Sequence, residues 1–139
     1  MGRVINLEGV GKERKNLTRA VVLALRELMQ QTKPDQTTRD LAAFISLALD
    51  EIYQTIDESV AAWEKRGYWL KADRFRLEWA WSETLSKNMR NAVLQDDWPQ
   101  VAITAANVAQ KLNTVALPQR HRLGTPWVGA WDKLKGEKA

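Results

Sequence analysis

The chain has 139 residues and a formal net charge of +4, with 45% hydrophobic and 27% charged residues, an ordinary composition for one globular domain. It has no cysteine and one histidine, His121, which excludes disulfides, thiolate metal sites and cysteine nucleophiles and argues against multi-histidine metal sites and most histidine-based catalysis. No apolar run approaches the roughly 20 residues needed to cross a bilayer, and Met1 to Lys15 lacks the apolar core of a signal peptide, so the expectation is a cytoplasmic, non-enzymatic protein with no membrane role, metal or cofactor.

Helical periodicity dominates. In the first predicted helix, about Gly11 to Gln31, Leu17, Val21, Ala24 and Leu28 step by four, three and four and share one face, which Leu25 and Met29 widen. Met1 to Val10 reads as an irregular leader. Gly9-Val10-Gly11-Lys12 is no phosphate-binding loop: Asn6 stands where such a loop has glycine, and Glu13 where it has Ser or Thr. Pro34 in Lys33-Pro34-Asp35 breaks the helix.

The second helix is expected to start at Thr37 or Thr38 as N-cap, with Asp35 and Asp40 near its positive end. Leu41, Ile45, Ala48, Ile52, Ile56, Ser59 and Trp63 form one stripe. Glu64-Lys65-Arg66-Gly67 ends it, with cations in the last turn and glycine after them. Asp50, Asp57 and Glu64 recur every seven residues on its outer face, beside Glu51 and Glu58. No Glu-x-x-His motif accompanies them, so they read as a solvated acidic ridge rather than a di-metal site.

The third helix is predicted over about Tyr68 to Gln95. Leu70, Leu77, Trp81, Leu85 and Ala92 share one face, and Phe75, Trp79 and Val93 point away from it. Residues two apart stand about 200° apart around a helix, so Trp79 and Trp81 are expected to serve different contacts. A helix apolar on two sides is either central in its fold or offers one side to another chain. Arg74 and Asn88 fall on or near the apolar face, where polar residues either fix register and oligomeric state or reach out to water.

Asp97, Pro99 and Gln100 mark the start of a fourth helix, whose Val101, Ala105, Val108, Leu112 and Val115 form a seam that ends before Pro118. Gln119 to Ala139 contains Gly124, Pro126, Gly129 and Gly136 and reads as a mostly extended tail with a helical turn between Trp127 and Lys135. His121 lies between Arg120 and Arg122 with no nucleophile beside it and reads as a tail contact, not a catalytic base. No catalytic residue is assigned. The predicted fold is all-α, an up-down-up-down four-helix bundle forming a single domain with its core over about 11–118, an irregular leader and an extended tail.

Charge is unevenly spread. Met1 to Lys33 has seven basic and three acidic side chains, Pro34 to Arg66 three and seven, Gly67 to Asp97 five and five, and Trp98 to Ala139 six and two. The basic ends either hold an anionic partner or lie against the protein's own acidic segment. Seven tryptophans against two Phe and two Tyr point to contact surfaces. The leading expectation is an interaction or scaffold protein that self-associates or docks a protein partner. Its surface centres on Phe75 and Trp79, with Trp127 and Trp131 as a second anchor unless the tail tucks both indoles against the bundle. The alternative is nucleic-acid binding by Lys12, Arg14, Lys15 and Arg19 together with Arg120, Arg122, Lys133 and Lys135, which the predicted topology brings to one end of the bundle.

Overall fold

The structure, a computed structural model, describes residues 7–138. Its elements are α1 (Leu7–Leu28), α2 (Gln36–Lys65), α3 (Trp69–Leu94), α4 (Trp98–Lys111) and α5 (Ala130–Lys138), with no strand among the described residues. None of these helices is long and apolar enough to cross a membrane.

The 30-residue α2 is the central element and packs against α1, α3 and α5. Its cap is Asp35 rather than a threonine: the carboxylate accepts from the Thr38 amide at 3.0 Å, and the Thr38 hydroxyl is turned inward onto Asp35 and the Lys33 carbonyl. Those bonds, the amide's first, hold the Asp35 carboxyl below its ordinary range. Leu41, Ile45, Leu49, Ile52 and Ile56 are fully buried along α2, and Ala42, Ala43 and Ser46 beside them leave room for close neighbours. Between α2 and α3 one pair of serines is bonded reciprocally. Ser46 Oγ donates to the Ser86 carbonyl at 2.9 Å, and Ser86 Oγ donates to the Ser46 carbonyl at 2.7 Å. The α2–α3 hairpin turns on Gly67, whose φ of +82° strains any side chain.

Three features depart from the sequence expectation. First, α1 begins at Leu7, so Gly9 to Lys12 lies within a helix and forms no loop. The leader before it, 1–6, lies outside the described residues.

Second, the described residues form five helices rather than four, and the fourth is short. At 14 residues α4 is about 21 Å long against about 39 Å for the 26-residue α3, and it packs on α3 while scarcely meeting α1.

Third, the helical turn expected between Trp127 and Lys135 is a nine-residue helix, α5, and it lies on α2 instead of trailing free. Trp127, Ala130 and Leu134 are buried there, an apolar step of three and four too short to stand out as a stripe. Asp40 caps α5 from across the fold. Its buried carboxylate accepts from the Trp131 amide at 2.9 Å and the Gly129 amide at 3.4 Å.

Candidate functional site

The two apolar faces of α3 have different fates along its length. In the C-terminal half both are covered: Met89 and Val93 are buried on one side, and Leu85 and Ala92 on the other. Two helices, α2 and α4, supply that double cover. The N-terminal half has α2 on one side only. There Phe75 and Trp79 turn inward, packing with Trp63 against Ile56, Val60 and Ala72. The other face continues past the end of α4 with no helix on it. Leu70 is 65% exposed and Leu77 77% exposed, and Tyr68 and Trp69 at the hairpin tip are 55% and 61% exposed. The candidate surface is therefore this bare stretch of α3.

Trp63, Tyr68, Trp69, Leu70, Arg74 and Glu78 are among the walls of a shallow groove there of about 630 Å³. Aromatic contacts stiffen its floor. Trp63 meets Phe75 edge-on with ring centroids 4.9 Å apart, and Phe75 lies 6.5 Å from Trp79. The Lys71 ammonium sits 4.5 Å from the Trp63 ring centroid, and the Arg14 guanidinium 4.8 Å from that of Phe75. Trp79 and Trp81, expected to act separately, stack at 5.7 Å: indoles are long enough to span the helix surface between two positions set on different faces.

Charge is distributed unequally around the hairpin. On the α2–α3 seam, Arg76 pairs with Glu64 at 3.2 Å and with Asp73 at 3.0 Å. Nearby, partial burial, and then repulsion from Glu83, push the Asp57 carboxyl above its ordinary value. The Tyr53 phenol is raised too, by burial first and then by the charges of Asp57 and Glu83. The acidic ridge on α2 is thus partly tied into the seam with α3. Among the described residues no group of three or more His, Cys, Asp or Glu could hold a metal ion. On the groove side Arg74 and Glu78 are exposed, and neither forms an ion pair with another described residue.

The other sequence-predicted residues are scattered. Trp127 is buried, and Trp131 is half-buried beneath the Lys135 ammonium, so the tail indoles serve the fold. Of the eight cations assigned to nucleic acid, Arg14 is turned inward. Its Nε donates to Thr55 Oγ1 at 3.1 Å and its Nη2 to Ser59 Oγ at 2.7 Å, and burial lowers its pKa. Arg19 is half-buried, with a buried Nε that finds no partner, and Lys135 pairs with Asp132 at 3.4 Å. Lys12 and Lys133 border two neighbouring grooves that share Leu17, Phe44 and Pro126. Lys15, Arg120 and Arg122 are exposed. His121 accepts from the Leu123 amide at 3.3 Å through Nδ1, a local turn contact.

A second apolar groove, about 470 Å³, opens where α4 and the end of α1 fail to close on each other. Leu25, Leu28, Met29, Trp98, Ala102 and Ala106 are among its walls. No sequence reading had pointed to it. Its signal is the spacing of Ala102, Ala106 and Ala109, which puts small residues on one side of α4. No protein-family model, curated protein or solved structure matches this chain.

Proposed function

We propose that this protein is a non-enzymatic docking module that binds a protein partner through the face of α3 between Leu70 and Trp81. One observation supports this most: Leu70 and Leu77 lie 65% and 77% exposed on the arc of α3 that α4 covers further along. Large aliphatic side chains left bare beside aromatic ones mark binding surfaces, because covering them releases the water held against apolar surface, a favourable change. Relative to the centre expected from sequence, the surface moves round the helix. Phe75 and Trp79 back it, and Tyr68, Trp69, Leu70 and Leu77 present it. The nucleic-acid reading has less support, since Arg14 uses its donors on α2.

The test is a photo-crosslinking residue placed at Leu77, with the same residue at Asn107 as control, in the cells that make the protein. The expected result is a defined protein adduct at 77 and none at 107, which is also exposed but lies on α4. No adduct at 77 overturns the docking reading.

A further inference from the structure

We propose that the partner seated on the bare face of α3 is a second copy of this chain, with the two α3 helices antiparallel about a two-fold axis near Arg76. This rests on the docking reading above and commits it to one occupant. Three observations carry it.

The first is spacing. Leu70, Arg74, Leu77 and Trp81 step by four, three and four, the a/d pattern of a helix–helix seam. The seam faces outward, with Leu70, Arg74 and Leu77 exposed and Trp81 half-buried.

The second is charge. Arg74 stands inside this seam with no ion-pair partner among the described residues, and Glu78, one turn on, has none either. An arginine enclosed at the seam needs a carboxylate, from its own helix or from the partner, because an unpaired buried charge is costly. A two-fold axis at the level of Arg76, midway between positions 74 and 78, sets each Arg74 opposite the partner's Glu78. The chain therefore carries its own countercharge in the right register.

The third is continuity. The seam lies on the arc of α3 that α4 occupies further along, and α4 covers only the C-terminal half. A second α3 extends the cover that α4 begins. The seam from Leu70 to Trp81 is only about 16 Å long, so the contact falls below the size of a permanent interface and the dimer is weak and concentration-dependent.

The experiment is sedimentation or light scattering on the purified full chain, from low micromolar to several hundred micromolar. Four proteins are compared: wild type, Arg74→Glu, Glu78→Arg and the double exchange, with circular dichroism confirming that each is folded. The expected wild-type mass rises with concentration from 15.9 kDa toward twice that value. Each single variant sets like charges opposite each other and weakens association about tenfold or more. An equimolar mixture of the two single variants recovers it, as does the double exchange.

A wild type that stays at 15.9 kDa throughout overturns the proposal. So does a dimer indifferent to all three variants, because its contact then lies elsewhere. The two readings separate cleanly. A monomeric protein that still forms a Leu77 adduct with a different chain refutes self-association and leaves docking standing, whereas a monomer with no adduct refutes both.

Discussion

A single side chain, Asp40, bonds the start of α5 to α2, so one substitution tests how the tail is held. Asp40 is buried on α2 and supplies the acceptors for the first turn of α5, taking the Trp131 amide at 2.9 Å and the Gly129 amide at 3.4 Å. Asp40→Ala removes both. The shorter bond has a charged acceptor, a class that contributes about 1.5–3 kcal/mol, and loss of a helix cap costs about 0.5–2 kcal/mol. The 3.4 Å bond lies at the limit of useful geometry and adds little. About 2 kcal/mol is the reasonable sum, or roughly a 30-fold shift between docked and released α5. Because α5 packs on α2, the change is expected as local opening ahead of global unfolding.

Hydrogen exchange by mass spectrometry reads it directly. Peptides covering α5 should exchange about 30-fold faster, while those covering the buried run Leu41 to Ile56 barely change. Asp40→Asn keeps a side-chain oxygen for the Trp131 amide and loses the charge, so it should cost about 1 kcal/mol or less. Unchanged exchange in α5 for Asp40→Ala would refute the cap. Equal damage from Ala and Asn would refute the hydrogen-bond account and leave the charge at the helix N-terminus as the cause.

Three further outcomes follow from the hairpin. Ser46→Ala should cost about 1 kcal/mol for the lost bond to Ser86, and Ser46→Val about 1–3 kcal/mol more, because added bulk separates α2 from α3; urea midpoints check both, and a valine tolerated as well as alanine contradicts the close approach. Gly67→Ala should cost about 1 kcal/mol by the same assay, since its φ of +82° disfavours a Cβ although no atom lies within 4 Å of one. Asp57→Asn should stabilise the fold at neutral pH. The folded-state pKa of Asp57 is raised by partial burial and then by Glu83, so the wild type loses stability as pH rises through it. The gain is at most about 0.5 kcal/mol because water screens the site, and it should vanish in acid, where Asp57 is protonated; thermal melts across pH would show a constant difference if this is wrong.

Much of the fold was legible because helices announce themselves by period. The stripes of α1 and α2 and the turn at Gly67 correspond to what forms, whereas α1 stops at Leu28, short of Gln31, and α4 stops at Lys111, leaving Val115 outside the helix. The misreadings have physical causes. Along α3 both apolar faces satisfy a helical period, and nothing local says which one meets α2. That depends on how far α4 reaches, so Phe75 and Trp79 turned out to face the α2 cluster while Leu70 and Leu77 stayed bare. In the tail, three buried positions are too few to make a stripe, and the decisive bond comes from Asp40, about ninety residues earlier in the chain. Arg14 read as a free cation because a sequence does not display that Thr55, Ser59 and Phe75 converge on it.

The length of α4 links these observations. A fourth helix as long as α3 would bury both faces of its neighbour and could close against α1. At 14 residues it does neither, and the two apolar grooves lie at the two places it leaves open. They are not equivalent. The groove beside α1 is walled by apolar and small side chains, with Met29 at its rim, and carries no charge to orient an occupant. The groove on α3 has Lys71, Arg74 and Glu78 among its walls, and in the proposed dimer the last two would favour one register. Burial alone would favour covering either groove; of these two, only the one on α3 has charged side chains among its walls. Exchanging Arg74 and Glu78 therefore tests that surface: it preserves composition and restores the cross-axis pair that either single change breaks, while the reversed i,i+4 order on α3 is read separately from circular dichroism.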